Sequence, residues 1–184
     1  MRLLWIVWFF KKRLMAWLAP GRLPAAKAAW LRRRGARIGA ECVLESDQVL
    51  TEPYLIDIGD RVGVSAGTCF VTHDGSARVG GSIVYGRITI GDDSFVGCNC
   101  TLLPGTAIGR DCIIGAGSVV RGVIPDGSVA MGNPARVVMT TAMLRKLAAR
   151  NRDSLKVVGL PAKQRRALIL DHFGLETGGD RAAR

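Results

Sequence analysis

Histidine and acidic residues are the scarce elements of this chain. Its 184 residues hold two histidines, His73 and His172, and no aspartate or glutamate precedes Glu41. So few imidazoles exclude a zinc centre built mainly on histidine, which needs three or four ligands. Long apolar runs are also missing. The run Leu3–Phe10 would make a helix about 12 Å long, against the roughly 30 Å of a bilayer core, so it cannot span a membrane. Lys11, Lys12 and Arg13 follow that run where an export signal would place a small-residue cleavage site, which argues against export. Asn-Gly and Asp-Gly pairs do not recur at hairpin spacing, so an ordinary antiparallel sheet of hairpins is also excluded.

The basic residues are unevenly placed. The formal charge is +11, and ten of the 26 Lys and Arg fall within residues 1–37, leaving 16 bases against 15 acids in the rest. All four tryptophans, Trp5, Trp8, Trp17 and Trp30, lie in the same basic leader. Aromatic and basic residues beside a short apolar run suit a membrane interface better than a nucleic-acid groove. Residues 1–18 are therefore expected to contact the inner membrane surface, no nucleic-acid partner is expected, and a helix packed on the body or between subunits is the alternative.

From residue 38 the chain has a six-residue rhythm. An aliphatic or aromatic residue recurs at Ile38, Leu44 and Leu50, then Ile58, Val64 and Phe70, then Ile90, Val96, Leu102, Ile108, Ile114 and Val120. A period of six fits neither a helix nor an open sheet, and it is a repeat in its own right. One short strand and one corner per hexad, with three hexads per coil, give an all-β solenoid of stacked parallel ladders. Four coils and a partial fifth turn through Ile124–Ala135 are expected, with the glycines after the aliphatics serving tight corners. Cys42, Cys100 and Cys112 take the small fifth position, so they read as core thiols rather than as metal ligands or disulfide partners. An odd number of reduced thiols agrees with a cytoplasmic location.

The rhythm breaks twice. Two residues are inserted near Pro53, and 14 between Phe70 and Ile90, in a stretch containing the sequence THDGSARVGG. An insertion must leave a solenoid through a corner, because the ladders on either side keep their pairing. The count places His73 at the root of the excursion, Glu52 beneath Thr72 and Pro53 beneath His73. On residues alone, His73 reads either as a satisfied corner imidazole or as a base.

The string ITIGDDSFVGCNCTLLPGTAIGRDCIIGAGSVVRGVIPDGSVAMGNPARVV resembles the distal half of hexapeptide-repeat sugar O-acetyltransferases and xenobiotic acetyltransferases. TEPYLIDIGDRVGVSAGTCFVTHDG is similar to acetyltransferases of surface-polysaccharide biosynthesis. That resemblance implies a left-handed parallel β-helix with N-terminal and C-terminal helices, a homotrimer with sites shared between subunits, and acetyl-CoA as acyl donor without a metal. It implies that His73 is the general base, taking the proton of a sugar or glycan hydroxyl as that oxygen attacks the thioester. Glu52 is the first candidate to orient His73 and Asp74 the second, although Asp74 can equally cap its turn. The resemblance puts an oxyanion-binding backbone N–H at Cys98. It also puts the coenzyme groove at Phe95, Gly97, Cys98, Gly115, Ala116, Arg121 and Arg136. Arg121 stands in RGVIP where relatives often have TKDIP, and Phe95 where many have Trp. Arg78 and Tyr85, inside the excursion, are candidates for acceptor contact.

The expected organisation is a basic Trp-rich leader over 1–36, a catalytic β-helix over 37–138 with an excursion at 75–89, a helical cap over 139–176 and a tail at 177–184. TTAMLRKLAARNRDSL and LPAKQRRALILDHFGL read as the two cap helices, expected to cover the open end of the coil stack, and His172 reads as structural. N-acetylation of an amino sugar and a non-catalytic scaffold remain the alternatives to O-acetylation.

Overall fold

The protein is represented by a computed structural model that describes residues 23–46, 48–49, 52–76 and 80–175. Two compact units divide between Ala142 and Met143. The first contains α1 (Leu23–Arg33) and short strands, most of which point one residue inward and one outward. The strands are β1 (Arg37–Ile38), β2 (Val43–Leu44), β3 (Gln48–Val49), β4 (Ile56–Ile58), β5 (Gly63–Val64) and β6 (Cys69–Phe70). After a hairpin of β7 (His73–Asp74) and β8 (Val84–Tyr85) come β9 (Ile88–Ile90), β10 (Phe95–Val96) and β11 (Thr101–Leu102). They are followed by β12 (Ala107–Ile108), β13 (Ile113–Ile114), β14 (Val119–Val120), β15 (Val123–Ile124), β16 (Ser128–Gly132) and β17 (Ala135–Thr140).

The chain visits three sheets in rotation. Sheet A is β1-β4-β9-β12-β15, sheet B is β2-β5-β10-β13-β16-β17, and sheet C is β3-β6-β11-β14. All neighbours in these sheets run parallel except β16 and β17. The inward residues form aliphatic ladders, such as Ile38, Ile58, Ile90, Ile108 and Ile124 in sheet A, all buried. Sheet B ends in an antiparallel pair that carries the sheet to Thr140, two residues past the expected edge at Val138.

Three expectations change. The third ladder of the first coil starts at Val49, which pairs with Phe70, and not at Leu50, because the corner after β2 is one residue short. Glycines after the aliphatics do not carry the turn. The left-handed conformation falls two residues later, at Glu41, Arg61, Asp93, Asn99 and Asp111, with φ of 52° to 60°. Gly97 is needed because a Cβ there would lie 2.7 Å from the Ala116 nitrogen in the coil above. The fifth position is more than small: Cys100 Sγ donates to Gly115 O at 3.2 Å and Cys112 Sγ to Pro125 O at 3.1 Å. Thr68 Oγ1 and Ser94 Oγ do the same to Gly97 O and Gly109 O, at 2.9 and 2.8 Å. Each of these four atoms thus satisfies a carbonyl one coil further on.

The N-terminal end of the stack is closed by α1. Ala28 and Leu31 enter the core with Ile38 and Leu44. Lys27 Nζ donates to Glu45 O and Arg32 Nε to Ile38 O, both at 2.9 Å, so the helix is tied to two different corners of the first coil. It ends where Ala36 N donates to Leu31 O and Gly35 takes a φ of 94°, a left-handed glycine stop.

The second unit contains most of α2 (Thr141–Arg150) and all of α3 (Ala162–His172). His172 Nε2 lies 3.0 Å from Asp153 Oδ1, and its ring meets Phe173 edge-on at 4.8 Å. No helix among the described residues is long and apolar enough to cross a membrane. The leader contact expected at residues 1–18 and the tail at 177–184 lie outside the described residues.

Candidate active site

The corner between sheets C and A gathers most of the polar candidates. After β3 the chain reaches Glu52 and then a short 3-10 turn, Pro53–Leu55, in which Leu55 N donates to Glu52 O at 3.0 Å. After β6, one coil further on, it reaches Thr72 and His73. The one-residue shift at Val49 makes Glu52 the neighbour of His73 as well as of Thr72. Glu52 Oε2 lies 3.0 Å from His73 Nδ1 and accepts from Thr72 Oγ1 at 2.5 Å. Glu52 and Thr72 are buried, while the His73 side chain keeps 32% of its exposure. A buried carboxylate therefore holds a half-open imidazole by one ring nitrogen, which fixes its orientation and leaves Nε2 for a ligand.

The excursion is a hairpin rooted at this pair. His73 pairs with Tyr85 and Asp74 with Val84, and Gly86 N donates to Thr72 O at 2.9 Å. It therefore begins at β7, before residue 75, and the coil resumes at β9, before residue 89. The Tyr85 ring is exposed with its centroid 5.8 Å from that of His73. Arg78 lies outside the described residues. Asp74 is not the partner of His73 Nδ1. Its Oδ1 accepts from Ser76 N at 2.8 Å, and those Ser76 hydrogen bonds, helped by the charge of Arg121, hold its carboxyl below the usual range. Arg121 Nη2 lies 3.7 Å from Asp74 Oδ2, so this arginine stands at the histidine corner.

The other candidates stack at a different corner, between sheets B and C. Gly97 and Cys98 follow β10, and Gly115 and Ala116 follow β13 directly above them. Gly117 N donates to Cys98 O at 2.8 Å, whereas no described residue accepts from the Cys98 N–H. The Cys98 side chain is exposed. Met131 lies above Gly115 and pairs with Arg136 in β17, which brings Arg136 to the upper end of the same column. Phe95 sits half-exposed on the outer face of sheet B, packed over Gly63. Within one chain, His73 and the Cys98 N–H thus occupy two different corners with sheet C between them.

Sequence reasoning missed Thr72. Its hydroxyl is the second tether on Glu52, and the signal was a Thr immediately before the histidine in a ladder whose count was one residue out. Among the described residues, no three His, Cys, Asp or Glu side chains gather as a metal site would require.

A family model described as "Bacterial transferase hexapeptide (six repeats)" matches residues 78–122. "Probable acetyltransferase Rv3034c" of Mycobacterium tuberculosis is 35% identical over 127 residues, which cover 65% of this chain and 42% of that protein. "Protein CapG" of Staphylococcus aureus is 34% identical over 142 residues, covering 73% of this chain and 83% of the relative. Among solved structures, a galactoside acetyltransferase in complex with coenzyme A is 22% identical with a TM-score of 0.50, covering 65% of this chain and 72% of that one, a likeness of fold. On the stacked six-residue ladders and these matches together, the chain belongs to the bacterial hexapeptide-repeat transferases.

Proposed function

We propose that the protein is an acetyl-CoA-dependent O-acetyltransferase whose acceptor is a hydroxyl of a sugar or glycan, including one carried on a lipid. The observation that carries this reading is the His73–Glu52 pair, a half-exposed imidazole tethered through Nδ1 at 3.0 Å to a buried carboxylate. His73 Nε2 takes the proton of the acceptor hydroxyl as its oxygen attacks the thioester carbonyl. The new C–O bond forms, the C–S bond breaks, and the departing CoA thiolate recovers the proton from the imidazolium. Charge that builds on the carbonyl oxygen needs a preorganised donor, a role assigned to the Cys98 N–H.

Because His73 and Cys98 stand at different corners, the complete site is assigned to two chains, the histidine corner of one facing the Cys98 corner of the next. A left-handed coil and a homotrimer with three such sites follow from family resemblance. The coenzyme arm is assigned to the column of Gly97, Gly115 and Ala116, with Phe95 as a wall and Arg136 toward the nucleotide end. Arg121 is reassigned from the coenzyme to the hairpin, where it faces Asp74, while Tyr85 and Arg78 contact the acceptor. The coenzyme bound by the galactoside acetyltransferase of similar fold supports acetyl-CoA as donor. Residues 1–18 are assigned to the inner face of the cytoplasmic membrane on sequence grounds.

The test is CoA release from acetyl-CoA against a panel of sugars, nucleotide sugars and lipid-linked oligosaccharides, with products checked by mass. His73→Ala is expected to lower turnover by about 10²- to 10⁴-fold, the usual contribution of a general base, with CoA binding kept. Full activity in that variant would remove His73 as the base, and a wild-type protein that binds no CoA would be a scaffold.

A further inference from the structure

We propose that the outer face of α1 docks on an anionic lipid bilayer, so that the coil stack stands on the membrane with its N-terminal end down. The inner face of α1 is committed to the core through Ala28 and Leu31. The outer face carries Trp30, 48% exposed, with the Arg34 guanidinium carbon 5.0 Å from its ring centroid and exposed Arg33 beside it. A half-exposed indole flanked by guanidinium groups is the chemistry of the headgroup layer, where the ring enters the interface and the cations meet lipid phosphates. Arg37 is not part of this face, being paired with Asp57 at 2.8 Å.

Two facts select the bilayer as occupant. The 22 residues joined to the start of α1 add Trp5, Trp8, Trp17 and five further cations without one acid. Residues 38–142 hold six bases against 11 acids, so within the coil unit the attraction is confined to this end. Nucleic acid would be recognised by the cations, yet it offers nothing to a run such as LLWIVWFF. The docking does not depend on acyl transfer, but one consequence rests on that reading. With α1 lying under the first coil and His73 one coil higher, a helix radius, a helix-to-sheet spacing and one strand spacing put the imidazole about 20 Å above the bilayer surface. The acceptor hydroxyl would then be delivered on a lipid carrier at that height.

The experiment uses the full chain with Trp5, Trp8 and Trp17 replaced by Phe, so that Trp30 is the sole indole. It is mixed with vesicles of phosphatidylglycerol and phosphatidylcholine, the latter brominated high on its acyl chains. Co-sedimentation that is released by salt, with quenching of Trp30 emission, is the expected result. Arg33→Gln and Arg34→Gln should each weaken vesicle binding about fivefold, equivalent to about 1 kcal/mol per cation. Sedimentation without quenching overturns docking through α1 and leaves the leader contact standing. No sedimentation overturns both, as does preferential capture by a DNA or RNA duplex. Turnover on a soluble sugar, expected to be unchanged in these variants, reports separately on acyl transfer: its absence from the parent protein sinks the transfer reading without touching the docking.

Discussion

Replacing Glu52 by Gln tests whether the carboxylate at His73 acts through its charge. The amide has nearly the same shape, and its oxygen can still accept from Thr72 Oγ1 and His73 Nδ1, which now share Oε2 at 2.5 and 3.0 Å. What is lost is the attraction to the positive charge the imidazole acquires as it takes the proton. At an effective dielectric of 20 that attraction is about 4 kcal/mol at 4 Å. With the His73 side chain 32% exposed, water screens part of it. About 2–3 kcal/mol remains, or roughly 30- to 150-fold in kcat. The assay is steady-state release of CoA from acetyl-CoA with a fixed sugar acceptor, alongside thermal unfolding. The KM for acetyl-CoA should stay unchanged, because buried Glu52 acts through His73 and is not among the residues assigned to the coenzyme. In a His73→Ala background the same substitution should have no further effect. A Glu52→Gln protein that keeps more than half its kcat at unchanged stability refutes the reasoning.

Other outcomes follow from the same geometry. A maleimide should label exposed Cys98 first and acetyl-CoA should slow that labelling, while buried Cys100 and Cys112, whose thiols are pushed up in pKa by burial, stay unmodified until unfolding; equal labelling of all three in the folded protein would be contrary evidence. Gly97→Ala drives a Cβ to 2.7 Å from the Ala116 nitrogen and 2.9 Å from Ile114 O, both backbone, so a loss of about 1–3 kcal/mol in denaturant unfolding is expected. The Asp74 carboxyl sits below its unfolded value, so its contribution is present above the unfolded pKa and disappears as pH falls through the lower folded one. Amide exchange at Ser76, followed by NMR, should therefore show lost protection at the acid end of the carboxylate range in the wild type and at all pH values in Asp74→Ala.

The coil architecture was legible because one residue in six is aliphatic and nearly every one of those residues is buried. The ladder failed only at Leu50, where Val49 and Leu50 are equally aliphatic and nothing in the pair marks a five-residue step. That single residue moved Glu52 from beneath Thr72 to the side of His73, and no count alone could have supplied the correction. The Asp-Gly at 74–75 could be read as turn chemistry, and the turn bond to Ser76 is what occupies Asp74. The helix at the N-terminal end was hard to place for a different reason: α1 needs only Ala28 and Leu31 inside, too few to stand out among its arginines. The role of the glycines was hidden because a close approach between coils leaves no mark on local sequence.

The hairpin that holds His73 also divides the order in which the chain can fold. Beyond it, paired strands are 16 to 18 residues apart, as in Thr101 with Val119 and Ile108 with Ile124. Across it, Asp57 meets Thr89 after 32 residues. Closing that longer loop costs about 0.5 kcal/mol more in chain entropy than an ordinary coil does. Nucleation within either run of coils meets only shorter closures, so each run is favoured about twofold over the seam between β4 and β9 as the place where pairing starts. The imidazole borders that seam, yet it acquires its carboxylate from the pairing of β3 with β6, wholly within the earlier run.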